Sequence, residues 1–298
     1  MSRGEASPDT SAGVLYALGA YGMWGVAPAY WKALDGIPAP EILAHRVLWS
    51  MLVGVLLVVA TRAQPQIRAV LRSRRHALPL LLSAALIGTN WLVFLYAVET
   101  DRVLDTSLGY YINPLINVVF GTWLLGERLR PAQIAAVLLA AVGVGQMVVA
   151  LGTLPWIALV LATTFGLYGL VRKLAPAAPL VGFSLETVLL APVAAVFLYG
   201  LHAAGESAVA EASVRSQVFV VCSGFFTAAP LLCFNSAAKR LRLSTLGLFQ
   251  FIAPSMAFLL AVAVYDEPFT RVHGVTFACV WGALAIYVID SARAARGT

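Results

Sequence analysis

The chain has 298 residues, of which 60% are apolar and only 11% charged, and its mean hydropathy is +0.85. A soluble domain carries about 25% charged residues, so this chain cannot cover a globular surface in water. A cytosolic enzyme, a secreted disulfide scaffold and a nucleic-acid-binding domain are thereby excluded, and the net charge of +6 has to be read by position.

Mostly apolar runs of about 18 to 22 residues, long enough to cross a bilayer's hydrocarbon core, recur along the whole chain. They lie near 12–30, 42–60, 77–98, 104–124, 132–150, 154–171, 180–200, 217–238, 243–264 and 272–290. The pattern predicts an all-α, polytopic membrane protein with ten transmembrane helices. Barrel strands would be shorter, and helices satisfy their own backbone groups in lipid. The first run follows a weakly charged leader holding Arg3, Glu5 and Asp9. It exceeds the length of a signal-peptide core and reads as a span.

Orientation follows from Lys and Arg. With the N-terminus cytoplasmic, the inner segments hold Arg3, Arg62, Arg68, Arg72, Arg74, Arg75, Arg128, Arg130, Arg172, Lys173, Lys239, Arg240, Arg242, Arg293 and Arg296, which is 15 of the 20 cations. The outer loops hold Lys32, Arg102, Arg215 and Arg271. Positive charge favours the cytoplasmic side, so both termini are expected there, and the basic balance needs no nucleic acid. The longest connections, an Arg-rich inner loop at 61–76 and an outer loop at 201–216, leave no room for an attached ATPase or kinase domain. Cys222, Cys233 and Cys279 are far apart in apolar stretches and suggest neither a disulfide nor a zinc site.

The two halves of the chain resemble each other. Pro114 and Pro254 are 140 residues apart, as are Glu127 and Glu267, while Leu108–Gly109 returns as Leu246–Gly247 at an offset of 138. Two five-span repeats follow, at 12–150 and 153–290. Because five is odd, the second is inverted relative to the first, the arrangement that lets a central cavity open alternately to either side.

Ionisable groups inside spans are costly and are functional candidates by default. Glu186 lies about six residues into span seven, roughly 9 Å at 1.5 Å per residue. It is a candidate for proton coupling or substrate contact, with a structural anchor as the alternative. Arg46, its equivalent at the same 140-residue offset, could attract an anionic or carboxylate-bearing substrate; otherwise it snorkels to the outer interface or pairs with Glu41. His45 is a weaker candidate beside it. In span one, Gly22, Gly25 and Pro28 loosen the helix and Trp24 offers a flat surface for a cavity, while Trp31 reads as part of an outer interfacial belt. Asn90, Asn113, Tyr110, Asn235 and Gln250 are further substrate-binding candidates, although amides such as Asn117 also bond neighbouring helices. Pro114 and Pro254 free backbone carbonyls and are candidate hinges. Glu127 and Glu267 are expected to anchor the turn into the next helix. Gly121, Gly143, Gly145 and Gly166 are expected at close helix contacts. No Walker phosphate loop, HExxH or GxSxG is present, so no ATP-driven pump, catalytic set, metal or cofactor is expected.

Several segments together resemble the RarD branch of the EamA-type permeases, in the drug/metabolite transporter superfamily. They are WGVAPAYWK at 24–32, EILAHRVLWS at 41–50, GTNWLVFLYAV at 88–98, GYYINPLINVVFG at 109–121, GFSLETVLLAP at 182–192 and FIAPSMAFLLAV at 251–262. The resemblance covers about residues 10 to 290. It implies a ten-helix protein of a bacterial plasma or inner membrane with two inverted repeats, related to permeases linked to chloramphenicol sensitivity. It carries no established set of site residues. The second half has Asp266–Glu267–Pro268 where the first has Gly126–Glu127–Arg128, which loosens the symmetry.

The expected function is secondary transport of a small organic metabolite or drug, with proton coupling as one option and export favoured by the resemblance. An intramembrane enzyme, an assembly factor and a passive channel are the alternatives. The expected partners are the lipid bilayer and a small-molecule substrate, without nucleic acid; a monomer and a homodimer both fit.

Overall fold

The computed structural model describes residues 8–34, 36–100, 102–152, 155–265 and 270–296. They are entirely helical in their regular structure: α1 (Pro8–Lys32), α2 (Ala39–Ala60), α3 (Gln64–Arg72), α4 (Arg74–Glu99), α5 (Val103–Val119) running into a π-helical turn (Phe120–Leu124), α6 (Pro131–Leu151), α7 (Trp156–Leu174), α8 (Pro179–Ala204), α9 (Ala208–Glu211), α10 (Val214–Arg240), α11 (Leu243–Gln250), α12 (Ile252–Tyr265) and α13 (Arg271–Arg296). Among the described residues, eight segments are long and apolar enough to cross a membrane: α2, α4, α6, α7, α8, α10, the α11–α12 pair and α13. Apolar side chains such as Leu56, Leu92, Leu138, Val149, Val193 and Val196 stand exposed on their outer faces. Such an exterior is stable only against lipid. This is an all-α, polytopic membrane protein.

The helices α1 and α5 fall outside those eight for a physical reason. Glycines, prolines and aromatics dilute the hydropathy of α1, and α5 is 17 residues long with Asp105, Asn113 and Asn117. Both bury much of their surface against other helices. α1 packs on α10 and α12, α5 on α7 and α11, and Ala17, Ala20 and Tyr21 are fully buried. A helix with protein on most sides does not need a uniformly apolar surface.

The pairing is regular. α13 lies along α6, α2 along α8, α1 along α10, and α4 along α7. α2 and α8 run antiparallel, because Ala44 and Val47 cluster with Ala191 and Ala194 while Val58 clusters with Val181. Contacts also gather most cationic segments at one end of the bundle. Arg130 pairs with Asp290 at 2.6 Å. Lys173 Nζ donates to the carbonyls of Ala238, at 3.2 Å, and Leu241, while Lys239 Nζ donates to that of Ala175. Ala63 and Val70 cluster with Ala177 at the same end. At the opposite end Glu41 accepts bonds from Ser207 Oγ at 2.7 Å and from the Ala208 and Val209 N–H groups.

Two expected loops contain helices. In 61–76 the sequence QPQIRAVLR forms α3, with Pro65 at its start, Val70 buried and Arg68, Arg72 and Leu71 exposed. Its apolar face has too few residues to register as a run of span length. In 201–216, α8 continues to Ala204, and Ser207 then caps α9 by accepting from the Ala210 N–H at 3.3 Å.

Missing side chains allow the closest crossings. A Cβ on Gly143 would lie 2.7 Å from Cys279 Cβ and one on Gly166 2.8 Å from Ile116, whereas one on Gly145 would meet nothing within 4 Å. The tightest approach of a glycine to another helix's backbone is between α10 and α2, where a Cβ on Gly224 would lie 2.4 Å from the Trp49 carbonyl carbon. Backbone cannot yield there as a side chain can. Gly224→Ala should therefore lower stability by about 1–3 kcal/mol through overpacking, seen as an earlier thermal transition in detergent, while Gly145→Ala leaves the transition in place.

Candidate functional site

Two polar centres lie within the bundle. The first is built on Arg46, seven residues after the start of α2. Its guanidinium carbon is 4.7 Å from the Trp31 ring centroid and 5.5 Å from that of Trp91, and Nε donates to Thr227 Oγ1 at 3.1 Å. The phenols of Tyr110 and Tyr30 interact with its charge. Side chains from α1, α2, α4, α5 and α10 thus converge on one cation. Arg46 is only partly buried and Tyr110 is 49% exposed, so the crevice these side chains form leaves both within reach of a ligand. Arg46 does not pair with Glu41, whose oxygens are engaged at α9. Trp31, expected in an interfacial belt, lies over Arg46 instead.

The second centre holds Glu186, likewise seven residues after the start of its helix, α8. Ser83 Oγ donates to Oε1 at 2.5 Å, Tyr168 OH donates to Oε2 at 3.1 Å, and Asn235 Nδ2 donates to the Tyr168 oxygen at 3.0 Å. Arg172 Nε stands 3.5 Å from Oε1. Both charged residues are buried, Arg172 completely. In this position the guanidinium fills the space of a side chain at residue 182: a Cβ there would lie 1.9 Å from Arg172 Nη1. Arg172 Nη2 donates to the Pro179 carbonyl at 3.3 Å. Arg172 had the appearance of a topology charge at the end of its span; its buried role is signalled only by Gly182 and Glu186, ten and fourteen residues later across the tight α7–α8 turn.

The two centres do not meet. Gly54 of α2 lies against Ser184 of α8, and Ala44–Val47 lie against Ala191–Ala194, so Arg46 is level with about residue 192. Six residues of helix separate that level from Glu186, about 9 Å at 1.5 Å per residue. An aromatic layer connects them. The Trp24 ring meets Phe165 at 5.7 Å, Phe234 at 5.8 Å and Tyr21 at 5.8 Å, and Tyr168 stacks on Phe234 at 6.1 Å. Trp24 stands two turns from Trp31 along α1, on the same face.

The remaining candidates lie elsewhere. Asn90 Nδ2 donates to the Leu161 carbonyl and to Thr164 Oγ1, both at 2.9 Å, tying α4 to α7. Asn113 donates to the Ala162 carbonyl at 2.5 Å; Asn117 donates to Asn113 at 3.2 Å and to Gln250 Oε1 at 3.0 Å. These buried amides seam α5 to α7 and α11. His45 lies one turn from Glu41 and interacts with its charge. The helix breaks at Phe251, between α11 and α12, just before Pro254, whereas α5 continues through Pro114 and loses its regularity only at the π turn. Glu127 accepts from the Leu243 and Ser244 N–H groups at 2.7 and 2.9 Å and from Ser244 Oγ at 2.6 Å. It caps α11 in the other half of the chain rather than the helix that follows it. Glu267 lies outside the described residues. Ser83, Tyr168, Arg172, Trp91 and Thr227 had no distinguishing spacing in the sequence.

Removing one member of a buried ion pair leaves an uncompensated charge and costs about 3–5 kcal/mol. Glu186→Gln should therefore lower the thermal transition markedly, and adding Arg172→Met should restore most of it.

Comparison with known proteins fits this architecture. Residues 11–149 match the EamA-like transporter family. The chain is 46% identical over 286 residues to an uncharacterized transporter of Vibrio cholerae, covering 96% of this chain and 95% of that one. It is 46% identical over 283 residues to Protein RarD of Salmonella typhimurium, covering 95% and 96%. A solved crystal structure superimposes with a TM-score of 0.69 at 21% identity, over 95% of this chain and 98% of that one, which supports the fold. Among the described residues no group of His, Cys, Asp and Glu could hold a metal ion. These bacterial relatives and the membrane-length helices make this a multi-pass protein of the bacterial inner or plasma membrane, with secondary transport of small molecules as its function. The chain belongs to the EamA-like transporter family, in its RarD-type branch.

Proposed function

We propose that this transporter exports a small organic molecule by alternating access about the Arg46 crevice. The observation that carries the reading is the convergence of five helices on one accessible cation inside the bundle, separated by an aromatic layer from a buried Arg172–Glu186 pair. In this reading ten helices span the membrane as two inverted repeats, 12–150 and 153–290, with both termini cytoplasmic. The helix pairing supports it: α1 on α10 is mirrored by α7 on α4, α5 on α7 by α12 on α1, while α2 with α8 and α6 with α13 are their own mirror images. The family match at 11–149 spans the first repeat. The cationic end faces the cytoplasm, following the positive-inside rule.

In the described conformation Trp24, Phe165 and Phe234 close the route from Arg46 to the cationic end. Opening that route requires α1, α7 and α10 to part. The Glu186 network ties α4, α7, α8 and α10 just beyond the layer, so proton uptake by Glu186 would weaken its hold on Arg172 and ease the opening. That makes Glu186 the coupling group and Arg46 the substrate group. Asn90, Asn113, Asn235 and Gln250 hold the helices in register, and the break before Pro254 is the hinge.

Counterflow in proteoliposomes tests this, with a panel of amino acids, nucleosides, sugars, organic acids and chloramphenicol. Saturable exchange is expected for at least one compound, and flux that rises linearly without saturation would identify a channel. Arg46→Gln should abolish exchange. Glu186→Gln should flatten its dependence on pH between about 5.5 and 8; an unaltered pH profile in a folded variant removes Glu186 from coupling.

A further inference from the structure

We infer that the Arg46 crevice selects a small organic monoanion, a carboxylate carried on an apolar body, over zwitterions and cations of the same shape. The inference rests on the transporter reading above and names its substrate class.

Among the described residues no acid pairs with Arg46, unlike three other arginines. Arg172 has Glu186 at 3.5 Å, Arg102 has Asp105 at 2.7 Å, and Arg130 has Asp290 at 2.6 Å. Around Arg46 stand two indoles, two phenols and a threonine hydroxyl. A cation removed from bulk water without a counter-ion is expensive, and ring faces offset only part of that cost. A ligand bearing the missing negative charge supplies the rest.

The geometry favours a carboxylate. Trp31 and Trp91 hold the guanidinium and Thr227 occupies Nε. Nη1 and Nη2 of Arg46 donate to no protein acceptor among the described residues, and neither is a fully buried unpartnered atom. That free edge is the fork that receives two carboxylate oxygens in parallel. The Tyr110 phenol, within electrostatic range, is a neutral donor that also favours an anion.

Selectivity against an amino acid follows from the same surroundings. Its ammonium group would need an acid, and the described carboxylates with assigned partners are engaged elsewhere: Glu41 at α9, Asp105 with Arg102, Glu127 at α11, Glu186 with Arg172 and Asp290 with Arg130. The indole faces that meet Arg46 are not free to take an ammonium. A single cation also matches a single negative charge, which disfavours dianions. The apolar body would lie against Tyr110 and the Trp24 layer.

The test uses the purified full chain in detergent. Its readouts are the saturable change in tryptophan fluorescence, to which Trp31 and Trp91 contribute directly, and the ligand-induced rise in thermal transition. The probes are benzoate, phenylacetate and hexanoate, each with its neutral amide, together with phenylalanine and phenethylamine. At least one carboxylate should bind about tenfold or more tightly than its amide, as loss of a charge-assisted bidentate contact implies, and phenylalanine and phenethylamine should bind no better than the amides. Arg46→Lys keeps the charge without the fork and should lose much of that preference; Arg46→Gln should lose all of it. Should either variant fail to fold, the wild-type selectivity alone decides. Equal binding of amide and acid, tighter binding of phenylalanine or phenethylamine, or no saturable response to any carboxylate overturns the assignment. Counterflow of the wider panel separates this from failure of the transporter reading: saturable exchange of a neutral or zwitterionic compound, insensitive to Arg46→Gln, overturns the carboxylate class while leaving transport intact.

Discussion

A charge inside a bilayer must find compensation within reach of its own side chain, and the interior of this protein is organised around two arginines that find it differently. Arg172 has an ion-pair partner, a carbonyl contact and a glycine-shaped slot. Arg46 has aromatic faces and one hydroxyl. The first environment is sealed and the second is open to a crevice. That difference, more than residue type, separates the part of the interior that holds the structure together from the part free to meet a ligand.

The polar amides belong to the sealed part. Asn113, Asn117 and Gln250 form a chain of bonds across three helices, and Asn90 does the same between α4 and α7. In lipid there is no hydrophobic force between helices, so such bonds, with close contacts at glycine, set which helices pair and in what register. Gly247, where a Cβ would lie 2.7 Å from the Pro114 carbonyl oxygen, lies in the same seam. The α5–α11 contact is therefore close-packed, and the break at Phe251 lies just beyond it, where α12 leaves for α1.

Apolar run length revealed the membrane helices, because lipid imposes that length on each span independently of its neighbours. The amphipathic α3 and the short α9 escaped, since neither length nor mean hydropathy marks a helix lying at the edge of the bundle. Arg46, Glu186 and Trp24 stood out as costly or bulky groups at depth. Their partners did not. Ser83, Tyr168 and Thr227 are ordinary in a helix until antiparallel packing brings them opposite a charge, and Arg172 looked like any cation at a cytoplasmic helix end. Sequence reports which groups are expensive to bury; which neighbour offsets each one is a property of the packing.

Gly182 shows where that limit falls in practice. It has no functional group, touches no crevice and would enter no catalogue of binding residues. Any side chain at that position would nevertheless collide with the Arg172 guanidinium and displace it from Glu186. In a genetic screen for inactive alleles, position 182 would score alongside Arg172 and Glu186, and a map drawn from such alleles would enclose an empty space as though it were chemistry.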